Sequence, residues 1–320
     1  MARHRVRRHS RLHGIQLCGT RAKPDPARTS RETYQEIGSR ISRRCTDGAY
    51  LGVENPGQIE RLSEGEIKAI YGPTVDAVFS TQELAIDPDP LADLIVKRVA
   101  DSETITLYTD TTVTKVDPTE RRIDVGSPEG DSTRLGPYDH VINCAWEGRP
   151  VIDSTVGLHQ PAPWSYRMKY FLKAMTGLFL PSTTIVLGPF GDIVQYATGG
   201  QYLAWYPSGL RGWSTAIAPP RWPTRPLAKE ASSIARETLA HLSEVVPAVT
   251  GVPLDTVDVR GGVIYALGQT DVDDPASQLH KRSDVGTTTL HGWYHSIDTG
   301  KYTTAPLFAK ETADRVTETG

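Results

Sequence analysis

Four short segments between residues 166 and 206 narrow the folds open to this chain. Tyr166 to Leu172, Thr183 to Leu187, Asp192 to Tyr196 and Gln201 to Tyr206 are rich in aromatic and β-branched side chains, and glycine and proline separate them. That spacing predicts an antiparallel meander. Upstream, Ser63 and Glu66 have capping-box spacing ahead of Ile67 and Ile70, so a short helix is expected to end near Gly72-Pro73. A second helix is expected after Asp87-Pro88-Asp89-Pro90, with Leu91, Leu94, Ile95 and Val99 on one face. Strands are expected at Ile105 to Tyr108, Thr111 to Val116, Arg122 to Val125 and within Tyr138 to Trp146. Downstream, residues 224–246 predict a helix carrying Leu227, Ile234, Leu239 and Leu242, Val257 to Ala266 predicts a strand, and Trp293 to Ile297 leads into a terminal turn and helix. The sum is a mixed α/β (α+β) chain: a sheet with helices, interrupted by an antiparallel insertion and completed by C-terminal elements.

Composition excludes several classes. No run approaches the roughly 18 apolar residues that span a bilayer, and no apolar stretch follows the first basic residues, so a soluble, cytoplasmic protein is expected. Cys18, Cys45 and Cys144 are odd in number and far apart, which argues against a disulfide framework and a CxxC metal site; no metal is expected. Residues 1–44 hold twelve Lys and Arg against three Asp and Glu, in a chain whose net charge is −3. The opening MARHRVRRHSRLH suits phosphate, but no aromatic residues interleave it and no nucleic-acid fold follows, so residues 1–44 read as a disordered or atypical start. No G-x-S-x-G elbow, no Cys/His pairing and no Walker A sequence is present.

The chemically suggestive motif is Asp298-Thr299-Gly300-Lys301-Tyr302-Thr303-Thr304-Ala305-Pro306. A glycine pivot followed by a helix start offers unpaired N–H donors and partial positive charge to an anion or a carbonyl oxygen. Read alone, the same motif also suits a tight turn and a capped helix that bind nothing.

With its partners in order, the motif resembles the amino-acid-oxidase-like family of FAD-dependent oxidoreductases, which includes D-amino acid oxidase, sarcosine oxidase and glycine oxidase. The similarity covers roughly residues 80 to 317 and rests on Thr112-Val113-Thr114-Lys115-Val116, Tyr138 to Ala145, the aromatic sheet, Arg260-Gly261-Gly262 and the terminal turn. It implies a Rossmann-like FAD domain built from both ends of the chain (residues 45–158 and 257–320) around an antiparallel substrate domain (159–256). By resemblance, Val113 meets the adenine end of FAD, Cys144, Ala145 and Trp146 pass the cofactor, and Gly300, Lys301, Tyr302, Thr303 and Thr304 face the flavin pyrimidine edge. Arg260 would stand beside the flavin or a substrate carboxylate, with a structural ion pair as the alternative. For Cys144 the alternative is a small buried hydrophobe.

The family's G-x-G-x-x-G turn is absent, since no two glycines in the sequence stand two positions apart. An incomplete first βαβ unit is therefore expected, with a separate chain supplying the missing FAD segment as one route to a complete site. The inserted sheet offers Tyr166, Lys169, Tyr170, Tyr196, Tyr202, Trp205 and Tyr206 to a pocket. The resemblance puts Tyr196, Tyr206 and Lys169 nearest the substrate, with Lys301 assisting at the flavin. Strand alternation turns about half of these side chains away. His280 and Arg282 lie in a polar connector, as surface charge or beside the cofactor. The implied activity is oxidation of an amine or amino acid C–N bond by hydride transfer to FAD, and the competing reading is a non-catalytic module that binds a small molecule or a partner.

Overall fold

The computed structural model describes residues 16–20, 26–44, 57–160, 163–187, 190–272, 274, 277–280 and 285–318. The chain opens with β1 (Gln16–Thr20) and α1 (Pro26–Arg44), then β2 (Glu60–Arg61), α2 (Glu64–Ile70), β3 (Val75–Ser80) and α3 (Pro88–Ala100). A meander follows, β4 (Thr112–Asp117), β5 (Arg122–Gly126) and β6 (Ser132–Leu135), then β7 (Val141–Asn143) and α4 (Arg149–Thr155). Next come β8 (Trp164–Met175), β9 (Thr183–Leu187), β10 (Gly191–Gln195), β11 (Gly200–Trp205), the single turn α5 (Tyr206–Gly209), β12 (Leu210–Ser214) and α6 (Ala228–Val245). The chain closes with β13 (Val257–Leu267), β14 (Gly286–Leu290), β15 (Tyr294–Asp298) and α7 (Ala305–Glu318).

Two compact units result. One comprises residues 1–93, 170–210 and 224–261; the other comprises 94–169, 211–223 and 262–320. This division departs from the expected boundaries. Residues 57–93, assigned from sequence to the cofactor domain, lie in the first unit, and the first half of β8 with most of β12 lies in the second.

In the first unit the strands run in the order β11, β10, β9, β1, β3 and β2, and the end of β8 pairs antiparallel with β11. All pairs are antiparallel except β1 with β9. The expected antiparallel sheet is thus present in part as a meander: β9, β10 and β11 follow one another, while β8 pairs with β11 and not with β9. Within residues 1–44, expected to be a disordered or atypical start, β1 pairs with β3 and β9 and is followed by α1, while residues 1–15 and 21–25 lie outside the described set. Strands β3, β9, β10 and β11 bury Ile185, Ile193, Leu203 and both Val78 and Phe79, neighbours that point to opposite faces of β3, so both faces of that strand are covered; α6 contributes Ile234 and Leu242 to the same unit's core. The capping box forms as its spacing predicts: Ser63 Oγ accepts from the Glu66 amide at 3.3 Å and the Glu66 carboxylate accepts from the Ser63 amide at 2.8 Å. Gly72 ends this segment because its backbone lies against α6. A Cβ there would sit 1.9 Å from the Glu244 carbonyl oxygen.

The second unit contains the meander β4-β5-β6 and the sheet β14-β15-β7, in which β15 and β7 run parallel and β14 is antiparallel. Val116, Val156, Trp293 and Tyr294 form its core cluster, with Val113, Ile123, Val141 and Ile152 packed against it. Two expectations fail. Residues 105–108 are not a strand, and Leu107 and Tyr108 are exposed. Helix α3 forms where predicted, yet it buries none of its residues, Leu94 and Ile95 remaining 54% and 52% exposed. Periodicity selected the helix, but burial depends on a neighbour, which local pattern does not supply.

No described helix is long and apolar enough to cross a membrane.

Candidate functional site

The terminal turn lies in the second unit and is held at both ends. Strand β15 ends in Asp298, whose Oδ1 accepts from the Gly300 amide at 2.9 Å. Gly300 has φ +61, and a Cβ there would fall 2.8 Å from Val285 Cγ1, so the position calls for glycine on both backbone and packing grounds. The Lys301 amide donates to Thr299 O at 2.5 Å, and Thr304 Oγ1 donates to Thr299 O at 2.5 Å or to Lys301 O at 2.8 Å. A turn of 3₁₀ helix, Tyr302–Thr304, then feeds α7. Among the described residues the amides of Tyr302 and Thr303 have no acceptor, as expected of a first helical turn. Lys301, Tyr302 and Thr303 are exposed and Thr304 is half-buried.

Beneath the turn lies a buried polar network that sequence reasoning missed. Arg149 and Asp153 sit four residues apart on α4, where proline follows Arg149 in the first turn. Arg149 Nη1 donates to Asp153 Oδ2 at 3.1 Å and Ser296 Oγ at 3.2 Å, while Nη2 donates to Asp298 Oδ2 at 3.1 Å and Gln160 Oε1 at 3.2 Å. Its guanidinium carbon lies 4.9 Å from the centre of the Tyr265 ring. Asp153 is fully buried and accepts five hydrogen bonds. Asn143 Nδ2 and the Tyr294 hydroxyl reach Oδ1 at 2.9 and 2.7 Å; Arg149, Gln160 Nε2 and Ser296 Oγ reach Oδ2 at 3.1, 3.1 and 2.8 Å. The set saturates an acceptor-only carboxylate. Burial, then the Asp153 charge, pushes the Tyr294 phenol far above its ordinary pKa, and burial raises Tyr265 to about 12. Both phenols are therefore neutral donors. Tyr265, Ala266, Leu267, Gln278, Leu279, Val285, Asp298 and Gly300 line a small cavity against the same turn.

Residues after β7 carry a second irregularity. Trp146 has φ +48, an unusual backbone state for a bulky residue, and its indole N–H donates to Val263 O at 2.8 Å. Asn143 Oδ1 accepts from the Ala145 amide at 3.1 Å, tying this bend to the buried network. Cys144 and Ala145 are exposed. Val113, on β4, is half-buried against Val116, Val156, Trp293 and Tyr294. The alternative of Cys144 as a small buried hydrophobe does not hold, although the protein packed about it pushes its thiol pKa up.

Arg260 is engaged elsewhere. Its Nε donates to Asp258 at 2.7 Å and its Nη1 lies 3.6 Å from Asp89, both in the first unit. Asp258 also pairs with Arg225, and Asp89 with Lys173. The ion-paired structural alternative is what the geometry displays. Tyr196 and Tyr206 are buried in the first unit, and Lys169 is half-buried on β8 in the second. Burial, then Asp87 and Asp89, raises the Tyr196 phenol to about 12. Of the other aromatics, Tyr166 donates to Glu147 O and Ile217 O at 3.1 and 3.0 Å, Trp205 stacks on His241, and Tyr202 packs against Phe171, which are structural engagements. Tyr170 is buried. Arg282 and the side chain of His280 lie outside the described residues.

No protein-family model matches the sequence, and no curated protein does. Solved structures share the fold. Glycine oxidase from Geobacillus kaustophilus superposes with TM-score 0.63 at 14% identity, over 96% of this chain and 71% of that one. Iminodiacetate oxidase (IdaA) from Chelativorans sp. BNC1 gives 0.60 at 16%, over 96% and 73%. Dithionite-reduced L-α-glycerophosphate oxidase from Mycoplasma pneumoniae, with FAD bound, gives 0.58 at 14%, over 95% and 72%. The fold is that of the amino-acid-oxidase-like flavoproteins, as the order of motifs implied.

The residues present fit one end of a flavin. The first-turn amides, the left-handed Gly300 and the exposed Lys301 offer donors and positive charge at the turn. At Gly262, on β13, a Cβ would meet nothing within 4 Å. The pyrophosphate end has no G-x-G-x-x-G loop in this sequence.

Proposed function

We propose that this chain is an FAD-dependent oxidoreductase that oxidises the C–N bond of an amine or amino acid. The carrying observation is the Gly300 to Thr304 turn, with free amides at Tyr302 and Thr303, in a fold shared with glycine oxidase and iminodiacetate oxidase. When bound, FAD supplies the acceptor for the hydride that leaves the substrate carbon. The amides of Tyr302 and Thr303 and the ammonium of Lys301 would hold the edge where negative charge develops, and donors placed there would favour the charged state. Cys144, Ala145 and Trp146 would hold the ring side of the cofactor and Val113 its adenine end. Tyr196, Tyr206 and Lys169 orient the substrate. A Tyr196 phenol with its pKa near 12 donates a hydrogen bond at neutral pH and takes no proton, so it is an orienting group and not a base.

In this reading a further segment holds the pyrophosphate. Two features support it: β7 ends its sheet among the described residues, and α3 leaves its apolar side chains exposed. A parallel strand and helix added beside β7 would bring the phosphate-binding turn.

Purification of the full chain with added FAD, followed by visible absorbance and then bleaching by candidate amines and amino acids, tests the reading. Bound flavin that bleaches supports it; ligand binding without flavin supports a non-catalytic binding module. Lys301→Ala refines the role of the ammonium. Reduction of bound flavin is expected to slow by about tenfold, roughly 1.4 kcal/mol of barrier, with folding unchanged. Unaltered reduction kinetics would remove Lys301 from the mechanism.

A further inference from the structure

We propose that Arg149 is a positioning residue for the Gly300 to Thr304 turn, setting the direction of the Tyr302 and Thr303 amides through Asp298. This deepens the flavin reading and rests on it. Asp298 uses its two oxygens for different tasks. Oδ1 accepts from the Gly300 amide at 2.9 Å, which starts the turn, and Oδ2 accepts from Arg149 Nη2 at 3.1 Å. The guanidinium is itself fixed, since Nη1 is shared by Asp153 and Ser296, Nη2 is shared by Gln160 and Asp298, and its plane lies over Tyr265. Only 6% of Arg149 is exposed. A planar fork meets these four acceptors at once, whereas a lysine ammonium is a point donor on a flexible stem.

The clamp is built across long sequence separation. Arg149 begins α4 and Asp298 ends β15, so the turn is suspended from the buried first residue of that helix and is more than a local Asp-x-Gly bend. With the fork removed, the Asp298 carboxylate is free to rotate toward water and release the Gly300 amide, and the amides that follow lose their common direction. The predicted signature is local. Faster exchange should appear at Gly300, Lys301 and Thr304, whose amides are bonded, while the core of the unit stays protected.

The test is hydrogen–deuterium exchange on full-length Arg149→Lys and Asp298→Asn, together with the reduction potential of added FAD. In Arg149→Lys, peptides covering residues 298–305 are expected to exchange about tenfold faster with those of β4 and β5, in the core of the same unit, unchanged. The potential of bound FAD should become more negative, because misdirected amides stabilise the reduced ring less. Asp298→Asn keeps an oxygen for Gly300 and loses the charge that holds Arg149, so a smaller acceleration of the same peptides is expected. Wild-type exchange across 298–305 in both variants overturns the clamp, whatever the flavin does. Loss of fold in Arg149→Lys leaves Asp298→Asn to decide by the same peptides. Failure of the wild-type chain to take up FAD overturns the flavin reading, while exchange still decides whether Arg149 positions the turn.

Discussion

Replacing Asp153 with asparagine should be among the most destabilising isosteric changes in this protein. The carboxylate is fully buried and receives donors from five groups, three of them on Oδ2. An amide keeps the shape and loses the charge, and its NH2 must point either at Arg149, Gln160 and Ser296 or at Asn143 and Tyr294. Some of this is recoverable, because a serine hydroxyl rotates and a glutamine amide flips. Arg149 cannot respond in kind: its fork has only donors, and Asp298 alone remains as its counter-charge. Removing one partner of a buried pair costs about 3–5 kcal/mol, and relief at Ser296 and Gln160 places the expected loss near the lower end. Tyr294→Phe removes a single donor from Oδ1 and should cost only about 1 kcal/mol. Urea unfolding followed by tryptophan fluorescence reads both, since Trp293 lies in the same core with its ring centre 6.0 Å from that of Tyr294. A loss below about 1 kcal/mol for Asp153→Asn would refute the account of a charge held by five donors.

The remaining expectations concern the same unit and the ion pairs of Arg260 in the first unit. His295 is buried, hydrogen-bonded to His140 at 3.1 Å and Thr289 at 3.0 Å, and its pKa lies below 6.5 because of burial, then His140 and Arg315. The unfolded chain therefore binds its proton first. Stability should be full above about pH 6.5 and fall as pH drops toward the folded-state value, and His295→Gln should flatten that slope in urea midpoints taken from about pH 8 to about pH 5. Gly300→Ala puts a side chain at φ +61 and against Val285, so a loss of about 1–2 kcal/mol is expected by urea unfolding, and a neutral result would contradict the left-handed turn. Arg260→Ala should leave flavin uptake intact and cost at most about 1 kcal/mol, because its pairs with Asp258 and Asp89 are partly exposed. Loss of flavin on this substitution would restore Arg260 to the cofactor site.

Elements governed by near neighbours were legible before any coordinates. Ser63 and Glu66 of the capping box stand three positions apart, and β9 occupies Thr183–Leu187 as its β-branched content between glycine and proline predicts. The Asp298-Thr299-Gly300 turn is likewise local, and so is the helix start after it. Features that fail are those whose energy comes from afar. The strand β1 is five residues in an arginine-rich stretch, made a strand by pairing with β3 and β9. The stripe on α3 has helical period without a surface to cover it. Arg149 and Asp153 drew no notice in the sequence, since an arginine and an aspartate four residues apart usually make a solvated pair on a helix.

By itself the sequence determined the alternation of strands and helices, the glycine pivot and the order of motifs that resembles flavin-dependent amino acid oxidases. Those depend on backbone propensity and period, which act within a few residues. The tertiary structure alone decided that Asp298 joins Arg149 across 149 positions of chain and that Arg260 is occupied by Asp258 and Asp89. Burial settles such choices, because a charge removed from water must find its partners wherever the fold brings them.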